Sequence, residues 1–256
     1  MTGSAMSDTQ FLDTPQGRRI AYHRTAGAGP CVIFLGGLKS DMEGTKAVHL
    51  EAWARARGQA YLRMDYSGHG ESSGRFEDGS IADWHEDVLA AVDALTEGPL
   101  VVVGSSMGGW QALLLARARP ARIAGMVTIA AAPDFTEDGY WAKFTPEQKH
   151  ALECDGQVIL PSDYMEPYVV TRKMIEDGRR HLVLRSPLVL PFPVRCLQGT
   201  ADSAVSTETA LRLLEHADSP DMRLTLVKGA DHRFSDGPCL GLIEAAITDV
   251  LAQGAG

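Results

Sequence analysis

Three observations predict an α/β fold with a mostly parallel central sheet and helices on both faces. Short β-branched runs alternate along the chain with stretches whose apolar residues recur at helical spacing, the pattern of a doubly covered parallel sheet. The most apolar of these runs, residues 100–103 (LVVV), passes without a spacer into Gly104-Ser105-Ser106-Met107-Gly108. Behind that turn Trp110, Leu113 and Leu114 form a helical stripe that Pro120 closes, so a strand, a sharp turn and a helix follow one another directly.

This G-x-S-x-G turn is the stretch around which the rest is organised. A strand that turns at once into a helix brings two backbones together, and only glycine at 104 and 108 avoids a clash. Ser106 is left at the tip of a strained turn, with its hydroxyl above the sheet and the positive end of the following helix aimed at the same spot. Charge developing on a carbonyl oxygen is stabilised by such an arrangement.

The 256 residues, 45% hydrophobic and 22% charged, suit one globular core with an insertion. A formal charge of -9 with no basic run argues against nucleic acid as a partner. No apolar stretch approaches the ~20 residues that span a bilayer. The opening MTGSAMSDTQ has neither the basic region nor the apolar core of an export signal, so a cytoplasmic location is expected. Cys31, Cys154, Cys196 and Cys239 are far apart, without C-x-x-C spacing, and read as structural thiols. His23, His85, His150, His181 and His216 have no ligand-like spacing, so no metal site is expected.

In chain order, residues 11–24 predict a hairpin around Pro15-Gln16-Gly17. Residues 31–35 (CVIFL) predict a buried strand ending in Gly36-Gly37-Leu38. A flexible Gly-Gly at a strand's carboxyl end lets a backbone amide face a ligand. The Leu38 N–H is therefore one candidate oxyanion donor, and the Met107 N–H, one residue past the serine, is the other. A helix over residues 45–57 turns Ala47, Leu50, Trp53 and Ala54 inward and leaves Lys46 and His49 on its solvated side. A strand at residues 60–64 leads into Asp65-Tyr66-Ser67-Gly68-His69-Gly70-Glu71-Ser72, a structural turn with His69 facing solvent or the entrance. Ser80 and Asp83 cap a helix whose stripe is Ile81, Trp84, Val88, Leu89, Val92 and Leu95.

After the elbow, residues 123–131 predict another strand, and then the periodicity changes. Residues 134–190 read as a helical lid inserted between two parts of the core, 1–133 and 191–256. Thr145-Pro146-Glu147-Gln148 starts one of its helices with a capping box, and residues 169–182 predict a second. Aromatic and apolar residues crowd this segment, and Trp141, Tyr164, Met165 and Tyr168 are its candidate substrate-binding residues. Beyond it, strands at 194–197 and 223–227 end in loops that carry Asp202 and His232, the position where open α/β sheets hold active residues.

Ser106, Asp202 and His232 thus follow the order nucleophile, acid, base, each on its own loop after its own strand. His232 would take the Ser106 proton and return it to the leaving group, with Asp202 fixing the imidazole. Asp134 also follows a strand, and Asp231 adjoins His232. Asp202 is preferred because its loop comes after the insertion, whereas neighbouring side chains on an extended loop diverge.

On these residues the chain resembles an α/β-hydrolase of the serine esterase kind over essentially its full length. Gly44-Thr45-Lys46-Ala47, Asp65-Tyr66-Ser67-Gly68, residues 103–110, Ser186-Pro187 and Asp231-His232-Arg233 make it most similar to the α/β-hydrolase domain-containing protein ten group. The resemblance implies an α/β-hydrolase fold and a catalytic Ser106, Asp202 and His232. It also implies hydrolysis, without a cofactor, of ester or thioester bonds in acyl esters, acyl thioesters or acyl glucuronides. The expected partner is a small acyl ester or thioester, or an acylated protein. Two other readings use the same residues: a receptor that closes on a small ligand, and an acyltransferase or carbon-carbon hydrolase.

Overall fold

The structure is a computed structural model that describes residues 8–160 and 167–253. Ten strands and seven α-helices are found among them. In the main sheet, β1 (Gln10–Asp13) and β2 (Arg19–Thr25) form the hairpin around Gly17. They are followed across the sheet by β4 (Gln59–Met64), β3 (Ala28–Leu35), β5 (Leu100–Ser105), β6 (Ile123–Ile129), β9 (Val194–Gly199) and β10 (Met222–Val227). The first two pairings are antiparallel and every later one is parallel.

Alternation along the strands sorts the core into two layers. Val101, Val103, Val127 and Ile129 face one side and pack on α1 (Thr45–Arg57) and α7 (Gly237–Gln253). Val102, Ile33, Leu35 and Met126 face the other and pack on α2 (Ile81–Leu95) and α3 (Met107–Ala118). β5 is buried along its whole length, so an uninterrupted apolar run, rather than an alternating one, is what its two-sided environment requires.

The helix ends follow the local chemistry expected of them. α1 stops at Gly58, which takes the left-handed conformation at φ 62°. The Ser80 side chain accepts from the Asp83 amide at the start of α2. Thr145 and Gln148 close a reciprocal capping box on α4 (Pro146–Cys154).

The elbow shows why it tolerates no side chain at 104 and 108. A Cβ on Gly108 would lie 2.0 Å from the Leu35 carbonyl oxygen, and one on Gly104 would lie 2.3 Å from the Gly108 oxygen. Both obstacles are backbone, which cannot swing aside. Gly108→Ala is expected to cost at least about 4 kcal/mol of stability. That corresponds to about 10 °C in the melting temperature, read by thermal unfolding against wild type.

β6 and β9 are neighbours in the sheet, so the chain between them is an excursion from it. It is not wholly helical, contrary to expectation. Besides α4 and α5 (Arg172–Gly178) it contains an antiparallel hairpin of β7 (Gln157–Leu160) and β8 (Tyr168–Thr171). Val158 pairs with Val170 and Ile159 with Val169, and cross-strand contact between branched side chains overrides the helical reading of residues 169–171. No helix among the described residues is long and apolar enough to cross a membrane.

Candidate active site

Ser106 follows β5 and begins α3 with φ 54° and ψ -119°, a strained backbone for a residue with a side chain. The turn is held from both sides: the Ser106 amide donates to the Ile129 carbonyl at 2.9 Å, and its carbonyl accepts from Ala132 and Gly109. Asp202 lies beyond the end of β9 and His232 beyond β10. Because these strands run parallel, their carboxyl ends lie on one edge of the sheet and the three loops converge there.

The side chains form one hydrogen-bonded row. His232 Nε2 lies 3.1 Å from Ser106 Oγ, and His232 Nδ1 lies 2.8 Å from Asp202 Oδ2. An ionised carboxylate only accepts, so Nδ1 carries the proton and Nε2 is left to accept from the serine hydroxyl. The Asp202 side chain is fully buried. Burial alone would raise its pKa. The hydrogen bond from His232 and those from the Val205 and Ala204 amides outweigh burial and hold the carboxyl below its usual range.

Gln198, buried in β9, was not singled out by its sequence context. Its Nε2 donates to Asp202 Oδ2 at 3.0 Å and to the Val205 carbonyl at 3.0 Å, so it braces the acid from behind. The rival acids are engaged elsewhere. Asp134, fully buried, accepts from the Val183 and Leu184 amides at 2.7 and 3.1 Å and from Arg185 at 2.8 Å, tying down the far end of the insertion. Asp231 accepts from the Phe234 amide at 3.1 Å and shapes the histidine loop.

Ser106 and His232 open into a cavity of about 400 Å³. Leu38 and Met107 border it beside the serine. Loop 36–38 presses on the elbow closely: a Cβ on Gly37 would lie 3.3 Å from Ser106 Cβ. Phe135, Gly139 and Tyr140 also line it, on and just before a π-helical turn at Thr136–Tyr140.

The expectations for six residues need correction or fall outside what is described. Trp141 does not border the cavity; its ring is taken up by two cations instead, with Arg179 4.5 Å and Lys149 5.1 Å from its centroid. Tyr164 and Met165 lie outside the described residues, as does the side chain of Tyr168. His69 faces neither solvent nor the entrance. It is buried edge-on among Tyr66, Phe76 and Trp84, which pulls its pKa down to about 4. Lys46 is not on the solvated side of α1 but in the cavity wall.

The comparisons with known proteins agree with this architecture. Residues 32–158 match the family model described as the alpha/beta hydrolase fold. The bovine (Bos taurus) protein named "Palmitoyl-protein thioesterase ABHD10, mitochondrial" is 36% identical over 246 residues, 94% of this chain and 79% of that protein. Among solved structures, a putative hydrolase from Agrobacterium vitis is 39% identical with a TM-score of 0.92 over 95% of this chain and 98% of its own. Alpha/beta hydrolase domain-containing protein 10 from mouse is 33% identical with a TM-score of 0.90, over 96% and 99% respectively. Identity at this level along nearly the whole chain, on a sheet that superposes with those structures, makes this protein a member of the α/β-hydrolase family.

Proposed function

We propose that the protein cleaves carboxylic ester or thioester bonds through an acyl-enzyme on Ser106. The observation that carries this reading is the Ser106–His232–Asp202 row, set at the mouth of a cavity that a small acyl substrate fills. The relatives named as thioesterases belong to the same family, and the protein is a hydrolase of ester or thioester bonds.

In the forward half, His232 Nε2 accepts the Ser106 proton as Oγ attacks the carbonyl carbon. The Leu38 and Met107 amides receive the developing oxyanion. His232 then passes its proton to the departing alcohol or thiol. In the second half, water attacks the acyl group, gives a proton to His232 and releases the acid while Ser106 regains its hydrogen. Asp202, ionised and buried, stabilises the imidazolium in both halves.

The acyl group lies against Phe135 and Tyr140, and the insertion that carries them acts as the lid. The bovine and human relatives are named for palmitoyl-protein thioesterase activity, which makes fatty acyl thioesters the first substrates to try, with acyl glucuronides and simple esters beside them. A panel of matched acyl esters, thioesters and glucuronides under multiple turnover tests the reading. Turnover of at least one class with substrate in excess is expected. Stoichiometric binding with no cycling would favour a receptor instead.

A further inference from the structure

Four of the residues around the cavity, Lys39, Lys46, Lys143 and Arg233, are cationic and one, Asp41, is acidic, although the whole chain carries a formal charge of -9. Lys46 is the least expected of them. It stands in the first turn of α1, where a positive charge opposes the helix dipole and where no acidic residue offsets it. Its ammonium donates to the Arg233 carbonyl, one residue past His232.

That anchor places Lys46 on a definite side of the reaction. His232 returns its proton to the leaving group, so the leaving group lies against His232, and Lys46 borders the cavity with its ammonium on the carbonyl of the next residue along. We propose that Lys46 determines specificity by receiving an anionic group, a carboxylate or a phosphate, carried on the leaving-group side of the substrate. The inference rests on the hydrolase reading and adds to it the charge of the part that departs.

The energetics fit a site that awaits an anion. Burial, with a smaller push from nearby Arg233, pulls the Lys46 ammonium down to about 8, while Asp231 and Cys239 oppose the shift without overcoming it. Lys39, Asp41, Tyr140, Lys143 and His232 are the remaining charged or titratable groups among the described residues around the cavity. A bound carboxylate or phosphate supplies the compensation that the protein leaves incomplete.

Two substrate pairs test this. 4-Butyryloxybenzoate and its methyl ester differ by one carboxylate on the leaving group. Butyryl-coenzyme A and butyryl-N-acetylcysteamine differ by the phosphate-bearing part. Wild type is expected to favour the charged member of at least one pair by about tenfold in kcat/KM, the size of one charge-assisted hydrogen bond, and the pair that responds tells carboxylate from phosphate. Lys46→Met is expected to lower that ratio about tenfold, and Lys46→Arg to retain most of it.

Lys46 is charged below its folded pKa and neutral above it, so the wild-type ratio is expected to fall as pH rises through about 8. The substrate anion stays ionised over this range. A ratio near one for both pairs, or one that Lys46→Met leaves unmoved in a protein that melts as wild type does, overturns the inference. If Lys46→Met does not fold, the wild-type series decides: a ratio flat from about pH 6.5 to about 9.5 overturns it. Titrating the same pairs into Ser106→Ala reads binding without turnover, so a failure of the hydrolase reading leaves the charge preference measurable.

Discussion

Ser106→Ala is expected to lower kcat on p-nitrophenyl butyrate by about 10⁶-fold and to abolish labelling by fluorophosphonates. The hydroxyl is the one aligned with the base: His232 Nε2 has Ser106 Oγ at 3.1 Å, and the other serine at the elbow, Ser105, is the last residue of β5 and is buried. Alanine fits the half-buried position and keeps the same strained backbone, so the variant is expected to melt close to wild type. His232→Ala should cost about as much, and the double variant little more than either, because the two groups act in one proton transfer. A Ser106→Ala enzyme that turns over at the wild-type rate would remove the acyl-enzyme from the account.

Asp202→Asn is expected to lower kcat by about 10⁴-fold while leaving KM far less affected. The reason lies in the donors around the carboxylate. Oδ1 accepts from the Ala204 and Val205 amides at 2.8 Å each, so in the variant those amides hold the amide oxygen in that place. The new NH2 then points at His232 Nδ1 and at Gln198 Nε2, where Oδ2 formerly accepted from both. The NH2 now meets a second donor at Gln198 Nε2, and His232 can meet the NH2 only by moving its own proton to Nε2, where it no longer accepts from Ser106. Steady-state kinetics on the same ester checks the loss. A variant within tenfold of wild type would show that Asp202 does not set the tautomer.

Much of this was legible in the sequence because it is local. The α1 bounds, the Ser80 and Thr145 caps, the Gly58 stop and the elbow glycines depend on residues within one or two turns of each other, where sequence spacing is spatial spacing. The triad was legible for a different reason. In a parallel sheet every strand's carboxyl end lies on one edge, so residues far apart in sequence converge if each follows its own strand.

What failed was orientation at a distance. A lysine at the start of α1 reads as solvated by default, yet Lys46 shares a helical face with Leu50 and Trp53 at i, i+4 and i+7, and whether its end of that face meets water depends on the loop after β10, which reaches across to it. His69 looked solvated in a turn of glycines and polar residues, yet Tyr66 of the same turn and Phe76 and Trp84 from beyond it close around the ring. Trp141 and Tyr140 are neighbours in the chain, yet Tyr140 reaches the cavity while Trp141 meets Arg179 and Lys149 from other segments.

By itself, then, the sequence determined the succession of strands and helices, the strained turn under Ser106 and the order of the three polar residues above the sheet, since these rest on spacing and steric necessity along one backbone. Only the tertiary structure decided which charges and rings border the cavity, that Gln198 braces Asp202, and that Asp134 serves the insertion instead of the histidine. Those outcomes depend on which distant segments come to lie within a few ångströms of one another, and no periodicity in a single chain carries that information.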